Sequence, residues 1–147
     1  SNAPLVKADR LTDSTHSVGH TVVDLGEDEF TQGRLHPMID PALRNRRIVQ
    51  EAHDPATAVI LLDFVLGYGA HPDPAGAALD AIAQAQQVAQ AAGRRLIFVA
   101  SVCGTEADPQ RLGAQEAKLR GAGVLVLPDN ASAVRLAGLI TQGCVVC

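Results

Sequence analysis

The sequence predicts a three-layer α/β domain, a parallel sheet covered by helices on both faces. Three observations predict it. Strand-like and helix-like runs alternate along the chain. The strand-like runs are apolar throughout, as in parallel strands buried on both sides. The helix-like runs open on a repeated Asp-Pro dipeptide, with an acid at the cap and Pro at the first helical position.

The elements follow in order. His20–Leu25 (HTVVDL) reads as the first of four core strands. Pro41–His53 reads as a helix with Leu43, Arg47, Ile48 and Ala52 on one face. Ala58–Asp63 (AVILLD) is an apolar strand closed by an acid. Pro74–Ala92 is an Ala-rich helix stopped at Gly93. Arg95–Val102 is the third strand, Pro109–Gly121 the third helix, Val124–Leu127 the fourth strand and Ala131–Ile140 the last helix. Gly143–Cys147 reads as frayed or as a small edge strand. Residues 1–19 read as a linker or the start of a fragment, and residues 20–147 as the domain.

The 147 residues suffice for one domain with its own core. They are 47% hydrophobic but only 3% aromatic, so that core is built from Ala, Val, Leu and Ile. A net charge of −4 argues against a nucleic-acid partner. No apolar run reaches the length of a membrane span. Three cysteines without an export signal point to a reducing cytosol rather than a disulfide framework. Cys144-Val-Val-Cys147 lies at the chain end, outside a strand-to-helix junction, and carries little redox or metal weight.

The candidate site comes from the strand-to-helix loops, which share the carboxyl edge of a parallel sheet. Two loops stand out, Gly33–Arg44 and Asp63–Gly76. His36 and His71 occupy equivalent places in them, each directly before Pro, and an imidazole there is able to transfer protons, accept a phosphoryl group or bind metal, or else simply bonds the loop backbone. Asp24 and Asp63 end apolar runs and would meet if those runs were neighbouring strands, as a general base or a substrate-amide acceptor. The plain alternative is that each bonds loop N–H groups or pairs with Arg34, Arg44 or Arg47. Arg44 lies one turn into a helix and suits a carboxylate or phosphate. Gly67 and Gly69 admit close backbone approach, and Gly104-Thr105-Glu106 closes the third strand at the same edge. Asp40, Asp73 and Asp108 read as helix caps, as does Asn130. Helix termini that carry their own carboxylates are poor phosphate cradles. No Cys/His tetrad exists, so no metal site is expected.

Two stretches, Asp24–Pro41 and Leu61–Pro74, resemble signatures of the FdrA-like proteins, a branch of the succinyl-CoA synthetase (CoA-ligase) superfamily. The resemblance runs from about Ser17 to Ile140 and includes the opening Ser-Asn-x-Pro-Leu. More distantly, the chain is similar to the carboxy-terminal domain of the synthetase β subunit, whose site-lining positions fall on Asp24, Gly67 to Gly69 and Gly104-Thr105-Glu106. The resemblance implies a flavodoxin-like CoA-ligase domain within a larger assembly. It also implies a link to carbamoyl transfer in allantoin and oxamate breakdown. The superfamily's phosphohistidine motif, Gly-His-Ala-Gly, is absent, so no His here inherits that role. Its glycine-rich first strand and phosphate-binding helix are expected upstream of Ser1.

The resulting expectation is one side of an acyl- or carbamoyl-transfer site, with His71, His36 and Asp63 as chemical groups. Its ligand would be a small carboxylate or an acyl or carbamoyl phosphate. No cofactor is expected on this fragment, while CoA or a nucleotide fits the full-length protein. Other domains or subunits, and a homo-oligomer, are the expected partners. The alternatives are a subunit-docking module without catalysis and a complete CoA ligase.

Overall fold

The structure, a computed structural model, describes residues 1–143. After a 3-10 turn at Lys7–Asp9 and a short helix α1 (Asp28–Thr31) come α2 (Ala42–Ala52), β1 (Val59–Val65), α3 (Leu79–Ala91), β2 (Ile97–Cys103), α4 (Leu112–Gly121), β3 (Leu125–Leu127) and α5 (Asn130–Thr141). The three strands are parallel in the order β1-β2-β3. Asp63 lies beside Ser101, and Ala100 beside Val126. The fold is therefore α/β with a parallel sheet between helical layers, as the alternation predicts.

The two faces of the sheet are unequal. Leu62 and Phe64 of β1 share one face with Phe98, Ala100 and Val102 of β2, and pack with Ile48, Ala52, Ile82, Ala85 and Leu119 in a single core. The buried face of α3 is made largely of alanines, Ala81, Ala85 and Ala89, and α2 packs against α3. Phe64 and Phe98 are each 1% exposed, and burying a side chain of that size contributes roughly 1.5–3 kcal/mol. The other face carries Asp63, Val99 and Ser101 and is covered by α5. Val99 and Ala133 are fully buried there, whereas Leu61 and Val65 of β1 are more than a third exposed. Among the described residues β1 pairs only with β2. Its outer edge thus presents unpaired backbone groups beside apolar side chains.

The sheet has three described strands rather than the expected four. Residues 20–25 form no strand. The side chain of Asn2, 5% exposed, takes both backbone groups of Asp24 instead: Nδ2 donates to the Asp24 carbonyl at 2.8 Å, and the Asp24 N–H donates to Oδ1 at 2.8 Å. One amide side chain does locally what a neighbouring strand would do, and Val22 stays exposed. Strand propensity is realised only where a pairing surface exists. Asp24 and Asp63 therefore do not meet at a shared edge.

The helix starts also shift. A 3-10 turn, Gly76–Ala78, precedes α3, and Pro109 lies outside α4. Gly93 follows α3 with a φ of +68°, the left-handed conformation expected of a helix stop. The region expected as a frayed end or edge strand, from Gly143 onward, lies almost wholly outside the described residues.

Candidate functional site

The site is built where the chain leaves β1 and crosses to α3. Gly67 turns the backbone at a φ of +134°, open to glycine alone. The following loop sits against the protein and belongs to no ladder, so its polar groups need other partners. Gln110, 7% exposed, supplies three: Nε2 donates to the carbonyls of Gly67 at 2.8 Å and His71 at 3.1 Å, and Oε1 accepts the Gly67 N–H at 3.1 Å. Gln115, 2% exposed, accepts the Ala75 N–H at 2.9 Å and donates to the Gln110 carbonyl at 3.3 Å. The His71 N–H donates to the Met38 carbonyl at 2.7 Å. That last bond joins the two His-Pro loops side by side.

The two histidines share one geometry. Each Nδ1 accepts a backbone N–H two residues ahead, from Met38 at 3.2 Å in His36 and from Asp73 at 3.0 Å in His71. A neutral imidazole that accepts at Nδ1 carries its proton on Nε2. Each ring therefore presents an Nε2–H donor. They face different surroundings. A Cβ built on Gly26 would lie 2.5 Å from Nε2 of His36, so that ring packs against the Gly26 turn.

Arg44 carries an unanswered charge. Its guanidinium lies 4.6 Å from the centre of the Phe64 ring, and Nη2 donates to the Pro74 carbonyl at 3.4 Å. Its Nε is buried with no hydrogen-bond partner. Burial pushes the group down to about 10, a penalty of roughly 3 kcal/mol against the charged form; it is still charged at neutral pH. Among the described residues no carboxylate pairs with it. Asp40 accepts the Ala42 N–H at 2.9 Å, and Asp63 accepts from the Ser101 hydroxyl and from Asn130 Nδ2 at 2.9 Å. Arg47 is committed to Glu51, and Lys118 to Asp73 at 2.7 Å.

Every long helix starts on a carboxylate, though two of the four expected residues change. Asp40, one residue before the cap position that Pro41 holds, accepts the Ala42 N–H of α2, and Asp73 accepts the Gly76 N–H at 3.1 Å ahead of α3. Burial raises the Asp73 carboxyl, but hydrogen bonds from Lys118 and the Gly76 N–H outweigh that and hold it below its usual value. Asp108 turns back to the N–H and hydroxyl of Thr105, at 2.6 and 3.0 Å. Glu106 takes its place and accepts the Gly113 N–H of α4. Asp129, not Asn130, caps α5 through the Ser132 N–H at 2.7 Å, which frees Asn130 for Asp63.

The structure thus brings His36, His71 and Arg44 to adjoining segments. Asp63 lies on the α5 side of the sheet, and Asp24 on the irregular segment bound to Asn2. Gly104, Thr105 and Glu106 reach the carboxyl edge of β2, but a Cβ on Gly104 would fall 2.7 Å from Leu66, so packing alone requires glycine there. Sequence reasoning missed Gln110 and Gln115. Gln115 shares the buried side of α4 with Leu119, four residues on, and a glutamine in that apolar register was the available signal. Among the described residues no cluster of His, Cys, Asp or Glu forms a metal site, and no described helix is long and apolar enough to cross a membrane.

The CoA-ligase family model matches residues 6–140, nearly the whole chain and every element of the site. The chain belongs to the CoA-ligase family. Its sequence is 45% identical over 128 residues to the uncharacterized protein YahF of Escherichia coli (strain K12), a match that spans 87% of this chain and 25% of that protein. The CoA-ligase domain described here thus corresponds to about a quarter of the length of that relative.

The glycines of the loop separate by substitution. Gly67→Ala should cost about 1–3 kcal/mol because alanine is strained at that φ. Gly69 has a backbone open to any residue and nothing within 4 Å of an added Cβ, so Gly69→Ala should leave stability within about 0.5 kcal/mol. Urea unfolding of both variants checks this; equal losses would contradict the loop geometry.

Proposed function

We propose that this CoA-ligase domain is an FdrA-like module that forms one wall of an acyl- or carbamoyl-transfer site. Its ligand is the carboxylate, or the acyl or carbamoyl phosphate, of a small substrate. The observation that carries the reading is the Arg44 guanidinium, largely buried, with no carboxylate partner among the described residues, and bonded to the carbonyl of Pro74, three residues past His71. An uncompensated buried charge is destabilising, and an anionic ligand would offset it. Arginine's planar fork suits a carboxylate or phosphate oxygen pair. His71, on the loop that Arg44 contacts at Pro74, adds an Nε2–H donor suited to an oxygen that gains charge during transfer. His36 offers a like donor beside Gly26. Asp63, oriented by Ser101 and Asn130, is the candidate base on the opposite face of the sheet.

The pyrophosphate of CoA or a nucleotide does not fit these residues. The N-termini of α2, α4 and α5 and the start of the α3 segment already hold Asp40, Glu106, Asp129 and Asp73, and a second anion there would meet like charge. In this reading, another part of the full-length protein holds such a group. Heat stability with and without inorganic phosphate tests the anion site. At a concentration of 100 times Kd, bound anion stabilises by about 2.7 kcal/mol. The melting temperature should rise by several degrees beyond a chloride control, and clearly less in Arg44→Met. An equal rise in both would mean that phosphate acts only through general exclusion from the surface, and the reading falls.

The open edge of β1, beside exposed Leu61 and Val65, supports a second part of the proposal: other subunits or a second copy cover this edge, since unpaired strands recruit partners. Sedimentation of the chain should show association that grows with concentration. A strictly monomeric species at the highest attainable concentration would rule out the second copy.

A further inference from the structure

We propose that Gln110 is the positioning residue of the Gly67–His71 loop. It bonds the loop directly, Gln115 braces its backbone carbonyl, and Arg111 is held left-handed to aim it. The proposal rests on the reading of His71 as a ligand-facing donor for what the positioning serves, but its test needs no ligand.

Three observations converge. First, all three hydrogen bonds of the Gln110 amide go to this loop. Gln110 is 7% exposed, so water competes poorly for these groups. Second, His71 is held at three of its four polar atoms. Its carbonyl accepts from Gln110, its N–H donates to Met38, and its Nδ1 accepts from the Asp73 N–H. Only Nε2–H remains to meet a ligand, and its direction is set by the other three. Third, Arg111 has a φ of +59° and a ψ of 111°, the only positive φ outside glycine among the described residues. Such conformations persist where surrounding contacts over-determine them. Here the contacts are visible on both sides. Gln110 is fixed to the Gly67 loop, while the next residues are fixed to the other loop: the Leu112 N–H donates to the Thr105 carbonyl at 3.2 Å, and the Gly113 N–H to Glu106. The start of α4 therefore binds both glycine-containing loops at once, and the strain falls on the residue between the two attachments.

The test compares the 147-residue chain with Gln110→Met, which keeps the length and removes the hydrogen bonds. Amide exchange and imidazole nitrogen shifts are read by NMR. The Gly67 and Asp73 amides should exchange about tenfold faster or more, while Val99 in β2 changes by less than about twofold. The His71 nitrogens should move from an Nε2–H pattern towards an average of the two tautomers. A uniform rise in exchange with the His71 tautomer unchanged would assign Gln110 a merely structural part and overturn the proposal. If Gln110→Met does not fold, Gln110→Glu serves. It keeps the acceptor for the Gly67 N–H but sets an oxygen against two carbonyls. Gly67 should then stay protected while Asp73 and the His71 ring are released; no change at either would overturn the proposal. Arg111→Gly removes the strain and keeps the amide, so Gly67 exchange should stay the same or slow. A faster rate would overturn the part assigned to Arg111. Phosphate binding at Arg44 is measured separately, so failure of one reading leaves the other intact.

Discussion

The backbone of the segment after β1 must find hydrogen-bond partners without joining the sheet, and much of the structure answers that constraint. A backbone group left dry and unpaired costs about 1–3 kcal/mol. Gln110, Gln115 and Met38 satisfy five such groups between Gly67 and Ala75. Each answer moves something else. Met38 brings the His36 loop alongside the His71 loop. The glutamines draw the start of α4 against the same loop and leave Arg111 left-handed. Asn45 of α2 donates to the Ala77 carbonyl at 2.6 Å, and this fixes the helix that carries Arg44 over Phe64.

The charges arrange themselves around the same loops. The carboxylates at the helix starts are used up on backbone N–H groups, and most neighbouring cations have partners: Arg47 with Glu51, and Lys118 with Asp73. Arg34 and Arg46 have no carboxylate partner among the described residues but are exposed; Arg44, likewise without one, is held in a half-buried place with only a ring face and a carbonyl for company. A cation–π contact of this kind returns up to about 2 kcal/mol, less than the roughly 3 kcal/mol implied by its displaced titration. The balance leaves room for an anion.

The sheet and its helices were legible because continuous apolar runs and Asp-Pro starts are local signals. The runs at β1, β2 and β3 lie where the sequence puts them, within a residue or two. HTVVDL failed because its pattern says only that a strand is possible there; the side chain of Asn2, twenty-two residues away, took the groups a neighbour would have paired. The carboxylate caps were legible in kind but not in identity. Asp108 and Glu106 stand two residues apart; Asp108 is taken up by Thr105 and Glu106 reaches the Gly113 N–H of α4. The join between the His-Pro loops and the glutamine contacts at separations of 39 to 43 residues leave no local trace. Only the placement of Gln115 in an apolar register hinted at them.

An NMR titration of the chain with inorganic phosphate tests the central claim, that Arg44 and the joined loops form an anion site. The account predicts saturable shifts at the Arg44 side-chain Nε–H, the His71 ring and the Gly69 amide. Shifts confined to Arg94 and Arg95, in the groove at the opposite ends of the strands, with Arg44 and His71 unmoved, would contradict it.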